Sequence, residues 1–231
     1  MIKILITAGG TSEKIDDVRR ITNSGTGMLG AKIAEAFQAS GRECEITYIC
    51  SENAVRPQLE AETGASLETL VCGDVNAVED AVSRACSGTA YDVIVHSMAI
   101  GDYKVKAVLD SLDSRQVIKE DKISSDREEL VVVLEKAPKI IAILRGLAPD
   151  AVIVGFKLLS EVSEEELRIA GHALLEKNSC DYVFANDMRT VRSDLHEGIL
   201  IAQDGTFERA SGKDSIAALI VERVLRLLLG Q

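Results

Sequence analysis

The sequence predicts an α/β fold, a single doubly wound Rossmann-like domain with a mainly parallel central sheet, and three observations carry that prediction. Short apolar runs alternate with helix-patterned segments along the chain, which is the signature of βαβ units. The first run, residues 2–6, is directly followed by a glycine-rich connection, residues 8–30, that leads into a helix. A third observation is composition: 231 residues with 46% hydrophobic content are enough to build one large core. Residues 1–231 are therefore read as one domain.

The elements follow in order. After the strand at 2–6 and the helix over 31–37, Gly41 ends the helix and CEITYIC at 44–50 is a second strand. Residues 67–71 form a third. Asp74 is placed to cap a helix over 75–85, and YDVIVH at 91–96 is a fourth strand. Residues 104–126 are polar, charged and without clear periodicity, which suits a mobile flap or a plain solvated loop. LVVVL at 130–134 reads as a strand, and Pro138 opens a helix reaching about residue 147. AVIVGF at 151–156 is a buried strand. Ser163 followed by three glutamates opens a helix to about residue 177. A short strand at 182–185 leads to Asn186 and Asp187. Residues 199–202 and 206–209, split by Asp204 and Gly205, form a C-terminal β-hairpin, and an amphipathic helix covers 215–229.

Charge and cysteine usage limit the function classes. A net charge of −11 argues against nonspecific binding to nucleic acid or to an anionic membrane surface, both of which need a basic face. No uninterrupted apolar stretch is long enough to span a bilayer, and a cytoplasmic setting is expected. The five cysteines (Cys44, Cys50, Cys72, Cys86 and Cys180) form no CxxC pair and read as buried reduced thiols.

Ligands of open α/β sheets bind beyond the carboxyl ends of the strands. The polar residues gathered there include Thr7, Thr11, Arg19, Asn23, Ser97, Asp102, Lys122, Lys157, Asn186 and Asp187. They supply no nucleophile–base pair, and the three histidines lack metal-site spacing. Such a set suits chemistry by positioning and charge stabilisation, as in phosphate transfer. Gly25, Gly27 and Gly30 match GxGxxG in letters, but the strand ends near Ala8, too early for the dinucleotide fingerprint. An anion on the helix N-terminus is the more general expectation. Residue type alone leaves bland readings open. Asn23 could cap or turn the chain, Lys122 could be a surface lysine, Asp102 an Asx turn, Phe156 core, and Arg19 the partner of Asp16 or Asp17.

Several blocks recur in family order: residues 6–30, SMAIGDY at 97–103, DKISS at 121–125, VGFKLLSE at 154–161 and FAND at 184–187. With these the chain resembles the bacterial phosphopantothenate cysteine ligases, also called phosphopantothenoylcysteine synthetases, over essentially its whole length. The resemblance implies that 4'-phosphopantothenate is activated by CTP and Mg2+ as an acyl cytidylate with release of pyrophosphate. Cysteine then displaces CMP, forming an amide in coenzyme A synthesis. It implies the stand-alone form, with the flavin decarboxylase a separate protein, and a homodimer.

By the same resemblance Asn23 binds the acyl intermediate and is needed for its conversion to amide. Arg19 reaches the pantothenate phosphate in the neighbouring protomer, and Ala99 and Asp102 line the acyl and nucleotide sites. Lys122 is the flap lysine of acyl cytidylate formation, Phe156 lies near the cytosine, and Lys177 near the nucleotide phosphates. Gly9, Gly10, Gly25 and Gly27 belong to the nucleotide loop, and no residue is assigned to the metal. Met98 replaces a usual alanine, and Ala173 stands where relatives commonly have a second phosphate lysine.

Two rival readings remain at this stage. One is an NAD(P)-dependent Rossmann oxidoreductase built on Gly25, Gly27, Gly30 and Glu52, although no lysine follows Tyr103 four residues on. The other is a nonenzymatic nucleotide sensor on the same fold.

Overall fold

The computed structural model describes residues 1–60, 64–191 and 195–230. The first strand, β1 (Ile2–Ala8), is followed by a small hairpin, β2 (Ser12–Lys14) and β3 (Arg20–Thr22), and then by α1 (Met28–Ala39). Next come β4 (Cys44–Cys50), β5 (Ala65–Val71), α2 (Val75–Gly88) and β6 (Val93–His96). A ribbon of β7 (Tyr103–Leu109) and β8 (Val131–Lys136) precedes α3 (Ile140–Leu147), β9 (Val152–Leu159), α4 (Glu164–Asn178) and β10 (Tyr182–Asp187). The short α5 (Met188–Val191), the hairpin β11 (Glu197–Ala202) and β12 (Phe207–Ser211), and α6 (Lys213–Leu228) complete the described elements.

Eight strands form one sheet in the order β12-β11-β10-β9-β6-β1-β4-β5. The six from β5 to β10 are parallel, while β11 and β12 add antiparallel at one edge. Counting only the parallel strands, the order is 3-2-1-4-5-6, so the winding reverses between β1 and β6 and a crevice opens there beyond the strand ends. This is the expected doubly wound sheet, and the predicted C-terminal hairpin extends it.

The central strands are covered on both faces and are therefore apolar throughout rather than alternating. Ile4, Ile6, Val93, Val95 and Val154 pack under α1 and α6 with Ile33, Phe37, Ile216 and Ile220. Leu5, Ile94 and Ile153 face Val78 and Val82 of α2, Ile140 and Leu144 of α3, and Leu175 of α4. Each such fully buried side chain contributes about 1.5–3 kcal/mol relative to exposure.

The helix signals are met at two ends. Asp74 accepts from the Ala77 N–H at 2.8 Å, and Ser163 and Glu166 form a capping box. At α1 and α3 they are displaced. α1 starts at Met28, because Gly27 takes a left-handed conformation (φ 74°) as its N-cap, which a glycine alone adopts without strain. α3 starts at Ile140 with Lys139 as N-cap, so Pro138 lies before the helix rather than in its first turn.

The reading of residues 104–126 is corrected in part. Its first residues belong to β7, which pairs antiparallel with β8 outside the main sheet. Residues 131–134 of the expected strand thus lie in this separate ribbon, not in the central sheet.

Candidate active site

The glycine-rich connection does not run as an open loop. Gly9 to Thr11 prolong β1, and the strand-end segment 97–103 runs alongside: the Ala99 N–H donates to the Gly9 carbonyl at 2.8 Å, and the Thr11 N–H to the Ala99 carbonyl at 3.1 Å. The chain then turns through the β2–β3 hairpin and returns, and the Asn23 N–H donates to the Thr11 carbonyl at 3.0 Å. Much of the close backbone approach foreseen for the glycines is of the loop to itself. A Cβ on Gly10 would overlap the main-chain carbonyl of Asn23, and one on Gly25 would crowd that of Gly9.

Asn23 and Ala99 meet here with Gly9, Gly10, Gly25 and Gly27, and Asp102 and Phe156 follow the strand ends beside them. Asn23 donates from Nδ2 to the carbonyl of Ala99 at 3.2 Å. Asp102, three residues on, has an exposed carboxylate that pairs with the Lys139 ammonium, and its carbonyl accepts from the Ala137 N–H at 3.0 Å. Gly27 caps α1, whose first turn carries no acidic residue; the Met28 N–H donates to Thr26 Oγ1 at 3.4 Å. Phe156 is half-buried one residue past the last pair between β6 and β9, its ring 6.0 Å from that of Phe184. It is both a core residue and a neighbour of the crevice.

Arg19 and Lys122 come together at the hairpin tip. The Arg19 guanidinium pairs with the Asp16 carboxylate at 3.0 Å and reaches the Ile123 carbonyl at 3.4 Å. Segment 121–123 rests on the same turn, where the Asp17 N–H donates to the Asp121 carbonyl at 2.7 Å. Lys122 lies between these anchors with its side chain exposed. Burial of the Asp16 carboxylate works to raise its pKa. The N–H groups of Val18, Arg19 and Ile123 and the charge of Arg19 outweigh this and hold it below the ordinary carboxylate range.

Lys177 is not brought to this cluster. It sits in the last turn of α4, which runs back from the crevice edge to the opposite edge of the sheet. There the Cys180 N–H bonds the Leu175 carbonyl, and the Asp181 N–H bonds Ile153 at the start of β9. A helix of this length spans roughly 20 Å, so within one chain Lys177 is far from the glycine loop. Asp187 is engaged structurally. Two contacts from the Arg189 guanidinium, and main-chain N–H groups of Arg189 and Val162, drive its carboxyl far below the usual range.

Lys139 and Asp16 were not singled out as site residues by their spacing. Lys139 belongs to the APK turn after β8, and only the fold sets it against Asp102, 37 residues away. Under the crevice, His96 Nδ1 lies 2.8 Å from Thr7 Oγ1, and burial pushes its pKa down to about 4. Among the described residues no group of three or more His, Cys, Asp or Glu is arranged to hold a metal ion. A magnesium ion carried by phosphates needs only one or two carboxylates, and Asp102, paired with Lys139, is an exposed carboxylate on the segment that leaves β6.

Residues 1–228 match the family described as the DNA/pantothenate metabolism flavoprotein C-terminal domain. The chain is 34% identical to the coenzyme A biosynthesis bifunctional protein CoaBC of Thermococcus kodakarensis over 206 residues, which is 87% of this chain and 45% of that protein. It spans about half the length of the curated relatives it matches. The crystal structure of the DNA/pantothenate metabolism flavoprotein from Streptococcus pneumoniae superposes with a TM-score of 0.84 at 31% identity, covering 98% of this chain and all of that one. A Cab2 mutant in complex with phosphopantothenate-cysteine shares the fold, with a TM-score of 0.72 at 21% identity over 99% of this chain and 87% of that one.

Proposed function

Because the chain belongs to the DNA/pantothenate metabolism flavoprotein C-terminal domain family, we propose that it ligates 4'-phosphopantothenate to L-cysteine through an acyl cytidylate. Residues 1–231 act as one catalytic unit. The carboxylate oxygen of 4'-phosphopantothenate attacks the α-phosphorus of CTP, and the bond to pyrophosphate breaks. The cysteine amine then attacks the acyl carbon, CMP leaves, and the nitrogen loses a proton to solvent as the amide forms.

The observation that carries this reading is the junction of residues 8–30, 97–103 and 121–123 at the sheet's switch point, with an amide, a guanidinium and an ammonium but no nucleophile–base pair among the anticipated residues. In this scheme Lys122 neutralises charge building on the transferring phosphoryl group, and Asn23 Nδ2 donates to the acyl oxygen. Arg19 matches a phosphate in charge and in its planar donor pattern. The positive start of α1 and the Gly9, Gly10, Gly25 and Gly27 backbone favour the nucleotide's phosphates. Ala99 leaves room for the acyl chain. Asp102 would help hold the Mg2+ that accompanies the nucleotide and that supplies charge neutralisation when bound. Lys177 would serve a triphosphate only from a partner subunit.

A homodimer is supported by the β7–β8 ribbon. A two-stranded ribbon is marginal in water by itself, and this one, which touches β2 and buries Val108, still exposes Tyr103 and Leu134. The five free cysteines suit a reducing, cytoplasmic setting. No described helix is long and apolar enough to cross a membrane.

The test is release of pyrophosphate and CMP with 4'-phosphopantothenate, CTP and magnesium, with and without cysteine, with ATP and NAD in parallel. Turnover sustained only with cysteine is the expected result. Turnover with ATP alone would overturn the nucleotide, and release from neither would overturn the ligase.

A further inference from the structure

Asp16 stands at the tip of an exposed hairpin, yet its side chain is completely shielded from solvent. A carboxylate leaves water at low cost only where its oxygens find donors, and this one has four. Oδ1 accepts from the main-chain N–H of Val18 at 2.8 Å and of Arg19 at 2.6 Å. Oδ2 accepts from the Arg19 guanidinium at 3.0 Å and from the main-chain N–H of Ile123 at 3.2 Å, 107 residues away in sequence. On the other side of Lys122, the Asp17 N–H holds the Asp121 carbonyl. Ile123 itself is 2% exposed, so this part of the flap is seated on the hairpin rather than lying in solvent.

We infer that Asp16 is a positioning residue that ties the aim of Arg19 to the seating of the flap that carries Lys122. A single oxygen serves both partners. The same carboxylate that fixes the guanidinium also docks the backbone next to the lysine, and the lysine side chain is left free to reach outward. The two cations are thereby set relative to each other by one buried group. Their roles toward phosphate rest on the ligase reading, whereas the tie between hairpin and flap does not.

The variants Asp16→Asn and Asp16→Ser of the full chain separate these layers. Asparagine keeps the shape with one acceptor oxygen, and serine can still cap the local turn but cannot reach Ile123. Without any nucleotide, hydrogen exchange at the Ile123 amide and tryptic cleavage after Lys122 are expected to accelerate about 10- to 100-fold, the scale of losing a charge-assisted bond. With CTP and 4'-phosphopantothenate, kcat/KM for pyrophosphate release should fall by a similar factor of about 10 to 100, with KM for 4'-phosphopantothenate raised and the thermal midpoint little changed.

Unaltered exchange at Ile123 in both variants overturns the tie. Faster exchange with unaltered kinetics overturns its part in the reaction. If Asp16→Asn does not fold, Asp16→Ser decides by the same two readings. Wild-type protein that releases no pyrophosphate would sink the ligase reading, while the exchange rates would still decide whether Asp16 seats the flap.

Discussion

The side-chain amide of Asn23 donates to the main-chain carbonyl of Ala99 at 3.2 Å, joining the return arm of the glycine-rich connection to the segment that leaves β6. The bond spans the switch point of the sheet and leaves the second N–H of the amide available for a ligand. If that N–H serves the acyl oxygen, Asn23→Ala should release pyrophosphate at near wild-type rate yet form amide about 100- to 1,000-fold more slowly, the usual loss for one oxyanion donor. Single-turnover assays that follow pyrophosphate and amide separately check this. Normal amide formation would remove Asn23 from the chemistry.

Lys122 should fail earlier. It forms no part of the core, so Lys122→Gln is expected to keep the wild-type thermal midpoint while losing pyrophosphate release by about 100-fold or more. A nucleotide sensor would lose only some affinity, and a reductase would scarcely respond.

The central parallel strands were legible because burial on both faces writes them as continuous apolar runs, as in residues 4–6 and 93–95. The ribbon strand β7 was not. Its alternation is interrupted by a register shift between Val105 and Ala107, so the period of two that marks a strand is lost at its centre. The hairpin β2–β3 has strands of three residues each, below the length at which a pattern can be read. Asn23, Ala99, Asp102 and Lys122 were reachable by motif, whereas the contacts of Asp16 with Ile123 and of Lys139 with Asp102 arise from pairings across the chain that no local spacing records. Lys177 shows the reverse limit: a matching letter does not reveal that its helix carries it, within one chain, to the opposite edge of the sheet.

Gly10→Ala tests whether the loop's tight self-packing serves the site. An added methyl group would overlap the Asn23 carbonyl, and the chain must shift to admit it. A loss of about 1–3 kcal/mol in urea unfolding is expected, the scale of overpacking, together with a defect in amide formation like that of Asn23→Ala. Stability loss without that defect would show that the packing does not position Asn23.

Stability should also respond to pH through His96. The residue is 7% exposed and its folded pKa is pushed down to about 4 by burial, against about 6.5 in the unfolded chain. Between these values the unfolded chain binds a proton that the folded one refuses. The contribution is complete above about pH 6.5 and is lost as pH falls toward 4, a difference of roughly 3 kcal/mol. His196, also held down by burial first and then by Lys213, acts in the same direction. Urea midpoints measured from pH 7.5 to 4.5 should therefore fall in the wild type, and His96→Gln, which can still accept from the Thr7 hydroxyl, should flatten the slope in this window. Equal slopes in the two proteins would mean that His96 is protonated in the folded state at pH 5 and that the floor of the crevice is wetter than its burial implies.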